Sequence, residues 1–448
     1  MRRMVMNATM ERPNVIRAAR LAGTLALVLL SALGLWALVA TVTRGHEVLA
    51  TTQHVPWGLW VAGYIFFLGL SAGSFLLSTL VYVFGVKRLE PVGPLALVQA
   101  LGCLVLGGFL IIMDLGHPER IHKVLSSMQP RSVMAWMGVF YNFYLAIVMV
   151  ELYLALRPRL AARAGSSRLF RALALGSQRT DEASVSRDRR WLKILGVLGI
   201  PVAIVVHGGV GSIFAVAKAR PGWFSGLFPI VFLVSALASG GALLTFLVAA
   251  TSRLPRPRKD GLVRLLARMS LGILSFDLLL LTSEVLVTLY GNVPHESTAW
   301  KLTLLGPFWW VFWLGQLGVG FFVPVILAVL PLARDRMPVL GLQGLLMVVG
   351  IWSSRLNLVI PPQIPPVFEG LPAAYHHERW ALGYSPTPLE WGVLLAALVA
   401  GAWLFILARK FLPLEDSGPT GRAIGGEEAL TARSPSALIA LPRETETP

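Results

Sequence analysis

Charged residues are scarce in this chain, and cysteine is almost absent. Asp, Glu, Lys and Arg make up 14% of the 448 residues, whereas 55% of the residues are hydrophobic. A soluble domain carries about a quarter charged residues, so this chain has too little polar surface to cover a water-soluble fold. The single cysteine, Cys103, lies inside an apolar run. Its isolation excludes an internal disulfide, a thiolate zinc site and a cysteine-ligated iron–sulfur cluster.

Long apolar runs, by contrast, are abundant. Ten of them reach the roughly 17–25 residues that a helix needs to cross a bilayer, and a helix satisfies its own backbone hydrogen bonds in lipid. The sequence therefore predicts an all-α polytopic membrane protein, with a membrane domain at 21–411 between a short segment (1–20) and a tail (412–448). The predicted spans are 21–42, 57–84, 95–113, 133–156, 191–215, 227–250, 269–290, 308–331, 338–360 and 389–411.

The distribution of Lys and Arg predicts the orientation of these spans. Thirty of the 39 basic residues fall on the side of the N-terminus, eight fall in the opposite loops, and Arg355 lies within a span. This bias places both termini in the cytoplasm of a bacterial inner membrane. It also explains the net charge of +16 without nucleic acid as a partner. Residues 157–190, rich in Arg, Ser and Ala, and the tail from Leu412 are predicted to be weakly ordered.

A faint internal repeat suggests how the spans are grouped. The segment 70–77 (LSAGSFLL) resembles 237–244 (LASGGALL), and both segments enter the membrane from outside, four spans apart. The repeat predicts two parallel four-helix bundles, at about 57–215 and 227–360, with the first and last spans added outside them. The alternative is ordinary small-residue packing between helices, with a chance similarity.

Four ionisable residues are candidates for function because charge is costly inside a bilayer. Counting about 1.5 Å per residue along each helix, Asp114, His207, Glu284 and Arg355 all fall in the outer third of the membrane. At matched depth, Glu284 and Arg355 could form a charge pair that reduces the cost of burial.

A polar stripe on the seventh span could carry protons toward this level. Asp277 and Glu284 are seven residues apart and share one helix face, and Ser270 and Thr288 extend the same line. A buried polar seam between helices is the alternative interpretation. A haem held between spans would normally need a pair of histidines in the membrane. Only His207 lies within a span, so the sequence argues against haem.

Several short motifs, in this order, resemble the NrfD/PsrC superfamily of polysulfide reductase membrane subunits. The ten-span layout is similar to its HybB and DsrP branch, and the likeness covers roughly residues 50–410. The motifs are 55–60 (VPWGLW), 71–73 (SAG), 114–120 (DLGHPER), 207–212 (HGGVGS), 220–223 (RPGW), 283–284 (SE) and 355–357 (RLN).

The resemblance implies a subunit without haem or iron–sulfur clusters of its own, and with no metal site. It would bind menaquinone or ubiquinone near the outer face and exchange electrons with an extracytoplasmic iron–sulfur subunit and a catalytic or cytochrome subunit. On this basis His207 and Asp114 are expected at the quinone oxygens, supported by Glu284 and Arg355. Weaker candidates for hydrogen bonds to the quinone are Tyr64, Asn142 and Asn357.

Two other classes of protein fit parts of the pattern. A secondary transporter also combines repeats with charges in the membrane, but its broken helices would lie near the bilayer centre. Here the Gly and Pro interruptions lie mostly near the outer ends of the spans. A passive membrane anchor would leave the clustered ionisable residues unexplained. Whether the chain is catalytic by itself stays open, as do the direction of electron flow and the terminal substrate.

Overall fold

The computed structural model describes residues 2–292, 294–366, 368, 370–374 and 377–415. All ten predicted spans are confirmed as helices, and the described residues contain no β-strand. The helices are α1 (Arg2–Arg44), α2 (Leu59–Tyr82), α3 (Gly93–Asp114), α4 (Val133–Arg163), α5 (Glu182–Ala215), α6 (Phe228–Thr251), α7 (Arg256–Gly291), α8 (Val311–Val329), α9 (Met337–Val359) and α10 (Pro388–Phe411).

The connecting segments form two faces. The distal face, opposite the termini, comprises the segments at 45–58, 115–132, 216–227, 292–310 and 360–387. The proximal face comprises the segments at 83–92, 164–181, 252–255 and 330–336, together with the residues that follow α10. These two faces correspond to the predicted outer and cytoplasmic sides.

The crossing of α2 and α6 lies at the centre of the molecule. A Cβ atom on Gly73 would lie 2.0 Å from the carbonyl oxygen of Ala236, and one on Gly240 would lie 2.3 Å from the backbone nitrogen of Ser74. Only glycine allows two backbones to approach so closely. Both glycines belong to the repeated segments of the sequence, so the two copies of the repeat pack against each other.

Around this crossing, α2 is the most enclosed of the ten helices. It packs against α3, α5, α6 and α9, while α6 also packs against α5, α7 and α9. Helix α1 packs against α10, and α10 also packs against α3. The division into two four-helix bundles stays a prediction.

The proximal segment 157–190 is more ordered than its composition predicted. Helices α4 and α5 extend into it, and a short helix, Arg168–Leu173, lies between them. The reason is a buried ion pair between Arg157 and Asp188, in which Arg157 also donates a hydrogen bond of 2.8 Å to Ser184 Oγ. The prediction of weak order was wrong because these charges find partners within the protein.

The first residues of the predicted tail also contact the membrane domain. Arg159 donates hydrogen bonds to the backbone oxygens of Pro413 and Leu414, at 3.2 and 2.8 Å. The Leu414 side chain is buried. The remainder of the tail, residues 416–448, lies outside the described residues.

Candidate functional site

A cleft opens toward the distal ends of α7, α8 and α9, where the short helix Pro294–Leu304 covers it. The space between its lining atoms is about 690 Å³, including the part that opens to the outside. Most of the lining is apolar, and the polar groups are few. The lining residues are Gly222, Leu227, Phe228, Val231, Leu281, Glu284, Ala299, Trp300, Thr303, Gln316, Ser354, Arg355, Asn357, Leu358 and Pro362.

Arg355 of α9 is the buried cation of the cleft. Its side chain donates a hydrogen bond to Ser235 Oγ of α6, and its guanidinium lies 4.8 Å from the centre of the Phe232 ring. Such a cation–π contact stabilises a cation that has lost its water. The Nε atom of Arg355 is buried and has no hydrogen-bond partner among the described residues. Arg355 therefore has at least one N–H group that makes no hydrogen bond within the described residues.

Two carboxylates lie near this arginine in different ways. The charge of Asp277 on α7 acts on Arg355, although no ion pair joins the two side chains within the described residues. Glu284, two turns along the same helix, lines the cleft and accepts a hydrogen bond from Ser225 Oγ at 3.2 Å. Within the described part of the chain, no ion pair joins Glu284 to Arg355. The structure thus places both residues of the expected charge pair at one cleft without direct contact.

Asn357 lines the cleft two residues beyond Arg355. Its Nδ2 atom donates a hydrogen bond of 2.9 Å to Oε1 of Gln316, whereas its Oδ1 atom is buried without a partner among the described residues. Gln316 was missed in the sequence, and so was Trp300, which contributes an aromatic face. The signal for Gln316 was present, because it is the only strongly polar side chain in the apolar run 308–331.

Helix α8 brings Gln316 to the cleft through an unusual winding. Residues Val311–Phe322 form a π-helix, which continues into α-helix at Val323. Such segments are rare and frequently occur at functional sites. Close contact with α9 accompanies this winding: a Cβ atom on Gly320 would lie 2.3 Å from Cα of Gly350.

His207 lies beside the cleft rather than in its lining. It is buried in α5, with its ring 5.8 Å from the ring of Tyr144 and perpendicular to it. Its Nε2 atom has no partner among the described residues, and the charge of Arg355 acts on the imidazole. His207 and Arg355 are therefore neighbours in one polar region of the membrane interior.

Asp114 lies in a second group, next to α10. It interacts electrostatically with Glu390 and Tyr384. Glu390 caps α10: it accepts hydrogen bonds from Tyr384 Oη and from the backbone nitrogen of Thr387, both at 2.7 Å. Burial and the Glu390 carboxylate raise the pKa of the Tyr384 hydroxyl above its usual range, so this tyrosine stays protonated. The structure does not bring Asp114 to the cleft.

The remaining candidates are dispersed. Tyr64 packs between α2 and α3, and Asn142 is exposed and donates a hydrogen bond of 2.8 Å to the Gly138 oxygen of its own helix. Ser270 and Thr288 are buried on α7 but do not line the cleft. Of the sequence candidates, Glu284, Arg355 and Asn357 share the cleft, Asp277 and His207 lie beside it, and the others lie elsewhere.

Three distal segments meet above the cleft at Arg220. Its guanidinium donates hydrogen bonds to the backbone oxygens of Gln363, Pro365 and His54, at 2.6, 3.3 and 2.6 Å. Below it, Trp57 and Trp223 stack with ring centres 5.3 Å apart. We call this group, Arg220 with His54, Gln363, Trp57 and Trp223, the distal clamp. It holds the loops that frame the site.

His54 makes the distal clamp sensitive to acid. Burial, and secondarily the charge of Arg220, lowers the pKa of His54 below its ordinary value of 6.5. As the pH falls below about 6.5, the unfolded chain takes up this proton before the folded chain does, so folding stability decreases. We expect the unfolding temperature of the purified protein to fall between about pH 7.5 and about pH 5.5, and His54→Gln to reduce that fall.

His46→Gln serves as the control for this prediction, because His46 is exposed in the same distal loop. It should leave the pH dependence unchanged. Equal pH dependence in the wild type and in His54→Gln would show that His54 does not couple protonation to folding.

No group of three or more His, Cys, Asp or Glu side chains that could hold a metal ion occurs among the described residues.

Comparison with known proteins gives consistent matches along most of the chain. A family model described as "Polysulphide reductase, NrfD" matches residues 47–366. A selenate reductase subunit of Mesobacillus selenatarsenatis is 39% identical over 391 residues, which cover 85% of this chain and 91% of the relative. A putative dimethyl sulfoxide reductase membrane subunit of Halobacterium salinarum is 31% identical over 415 residues, which cover 89% of this chain and 92% of the relative. The Hdr-like menaquinol oxidoreductase integral membrane subunit of Archaeoglobus fulgidus is 25% identical over 391 residues, which cover 86% of this chain and 91% of the relative.

Proposed function

The chain belongs to the polysulphide reductase NrfD family, and we propose that it binds quinone as the membrane subunit of a respiratory oxidoreductase complex. The names of its relatives support this proposal, since one is a menaquinol oxidoreductase subunit and another a selenate reductase subunit. The quinone, menaquinone or ubiquinone, is a substrate from the membrane pool. Its redox chemistry is its own, and the protein supplies position, charge and protons.

The observation that carries the proposal is a pair of buried, unpartnered polar atoms on residues that line a mostly apolar cleft. Arg355 Nε is a donor and Asn357 Oδ1 is an acceptor, and both belong to residues that line the cleft. Unpaired buried polar atoms are costly, so a ligand with hydroxyl groups on an apolar ring would relieve the cost at both atoms. A quinol has this composition, whereas the carbonyl oxygens of a quinone can accept from Arg355 but cannot donate to Asn357.

The reaction exchanges two electrons and two protons between quinone and quinol. In our proposal Arg355 donates a hydrogen bond to one ring oxygen, and its positive charge favours electron density on that oxygen. Asn357 accepts a hydrogen bond when the other oxygen is protonated, and Glu284 exchanges the proton at the mouth of the cleft. His207 exchanges protons on the Arg355 side. The apolar lining accommodates the ring and the start of the prenyl tail.

The distal face is the proposed docking side for the redox partners. The cleft lies near that face, so an iron–sulfur subunit there would be close enough to exchange electrons with the ring. The basic residues of the proximal side support the placement of both termini in the cytoplasm. The partners are then an extracytoplasmic iron–sulfur subunit and a catalytic or cytochrome subunit. A secondary transporter gains no support from the reductase names of the relatives.

Binding at the cleft is tested with menadiol, the reduced form of menadione, whose hydroxyl groups can donate to Asn357. The purified chain is titrated in the absence of oxygen, and quenching of tryptophan fluorescence is followed, to which Trp300 in the cleft contributes. Asn357→Ala removes about one hydrogen bond, so the Kd is expected to rise roughly 10-fold. Gln316→Ala should raise the Kd less, because Gln316 positions Asn357. Trp300→Phe identifies the part of the quenching that comes from the cleft.

Asn142→Ala is the matched control, since this asparagine is exposed on α4 and bonded to its own helix. Its Kd is expected to equal that of the wild type. Absence of saturable quenching in the wild type, or equal Kd values for Asn357→Ala and Asn142→Ala, would remove the cleft as the quinone site.

A further inference from the structure

Buried polar side chains continue from the cleft region toward the proximal face along α4 and α5. Glu151 and Tyr144 of α4, Ser71 of α2 and His207 of α5 are all at most 3% exposed. None of them lines the cleft. Of these residues, only His207 has a part in the proposed quinone chemistry. Because polar and ionisable groups in a membrane interior are costly, the alignment of these four side chains indicates a functional role.

The distal half of this line is connected by direct contacts. The hydroxyl groups of Tyr144 and Ser71 lie 3.3 Å apart, within hydrogen-bond distance. The Tyr144 ring lies against His207, and the charge of Arg355 acts on His207. Hydroxyl and imidazole groups both donate and accept hydrogen bonds. No hydrogen bond joins Tyr144 to His207 within the described residues, so a proton that passes between these two side chains needs a bridging water molecule.

Glu151 extends the line toward the proximal face. It lies seven residues after Tyr144, so it shares the same face of α4 and is displaced by about 10 Å along the axis. Its Oε1 atom is buried and has no hydrogen-bond partner among the described residues. Opposite it, α5 has a glycine: a Cβ atom on Gly196 would lie 3.7 Å from this oxygen. Nothing on the facing helix neutralises or satisfies this oxygen at that point.

We propose that Glu151, Tyr144 and His207 conduct protons between the proximal face and the quinone cleft, a role that rests on the proposed quinone chemistry. When a quinol is oxidised, two electrons leave to the distal partner and two protons leave the ring. At least one proton passes to His207, then through the Tyr144–Ser71 pair to Glu151 and the proximal side. Quinone reduction uses the same path in the opposite direction. Water molecules bridge the interval between Tyr144 and Glu151.

This path differs from the polar stripe predicted on α7. The two routes share only the cleft, and Asp277 belongs to the α7 stripe, where its charge acts on Arg355. If protons follow the α4–α5 path, electrons and protons leave the cleft toward opposite faces, and turnover charges the membrane. Substitution of Glu151 should then change the number of protons delivered per electron, whereas substitution of Ser270 on α7 should not.

The test uses the complex with its co-purifying subunits in liposomes that contain a trapped pH-sensitive dye. Duroquinol is the electron donor, and external ferricyanide, which does not cross the membrane, accepts electrons only from complexes with the distal face outward. Protein-free liposomes supply the blank. We expect the lumen to acidify in the wild type. Glu151→Gln should lower the protons delivered to the lumen per electron by about 10-fold or more, and Tyr144→Phe should lower them as well.

Glu182→Gln, an exposed carboxylate in the first turn of α5, is the matched control and should leave the proton-to-electron ratio unchanged, as should Ser270→Ala. If Glu151→Gln does not assemble, Tyr144→Phe, which removes only a hydroxyl group, carries the test. Proton release outside the liposomes in the wild type, or an unchanged ratio in both variants, would overturn the path while leaving quinol oxidation intact. Absence of quinol oxidation in the wild type would instead overturn the proposed function and the path with it.

Discussion

Arg355→Gln is expected to lower quinone-linked turnover roughly 100-fold or more, since preorganised charge at a dry site is the strongest single contribution to such reactions. Within the described residues, Arg355 is the only cation in the lining of the cleft, and the substitution removes it. It also removes the positive charge that acts on Asp277, so the fold should lose some stability as well. Loss of activity in the single variant therefore combines two effects.

The double variant Arg355→Gln/Asp277→Asn separates these effects. Removing both charges leaves neither group without the opposite charge that acts on it, so the unfolding temperature should recover toward that of the wild type while turnover stays low. Turnover is measured with duroquinol and the co-purified complex, and stability by thermal unfolding in detergent. Recovery of turnover together with stability in the double variant would mean that Arg355 serves only the fold.

Gly73→Leu should prevent the chain from folding into a stable membrane protein. The backbone of α2 lies against α6 here, and even a Cβ atom would overlap the carbonyl oxygen of Ala236 at 2.0 Å. Overpacking in a core costs about 1–3 kcal/mol when side chains can move, and here the obstacle is backbone. The two helices would have to separate, which disrupts the centre of the molecule.

Gly102→Leu is the matched control for this prediction. It is also a glycine in a membrane-spanning helix, α3, but a Cβ atom there meets nothing within 4 Å. The yield of monodisperse protein and the unfolding temperature are the measurements. The control should resemble the wild type, while Gly73→Leu should give little folded protein. Similar values for the two variants would show that the crossing tolerates a side chain.

The spans could be predicted from the sequence because the length of an apolar run is a local property that the bilayer thickness selects. The segment 157–190 could not, because its order depends on the burial of Arg157 against Asp188, which are 31 residues apart. The capping role of Glu390 was hidden for a related reason. In the sequence it is a carboxylate near a helix end, and only the fold brings Tyr384 and Ala50 to it.

The candidate site also combines features that the sequence alone predicts with features that depend on the fold. Counting residues along each helix gives the depth of a side chain, and that criterion selected Asp114, His207, Glu284 and Arg355 together. Depth does not give direction around the helix axis, which depends on how each helix is rotated and on which neighbours it has. Arg355 and Glu284 turn toward one cleft, whereas Asp114 turns toward α10 and Glu390. Their assignment to a single quinone site stays a prediction.

By itself, the sequence determined that this is a ten-helix membrane protein, and it selected Asp114, His207, Glu284 and Arg355 as ionisable residues at one depth. The tertiary structure alone decided which of those residues share a cleft, that Glu151 and Glu390 are buried, and that Gln316 joins the cleft through a π-helical segment. The physical reason is that hydrophobic length acts on each segment separately. Proximity between side chains depends instead on helix rotation and on backbone crossings such as the one at Gly73 and Gly240.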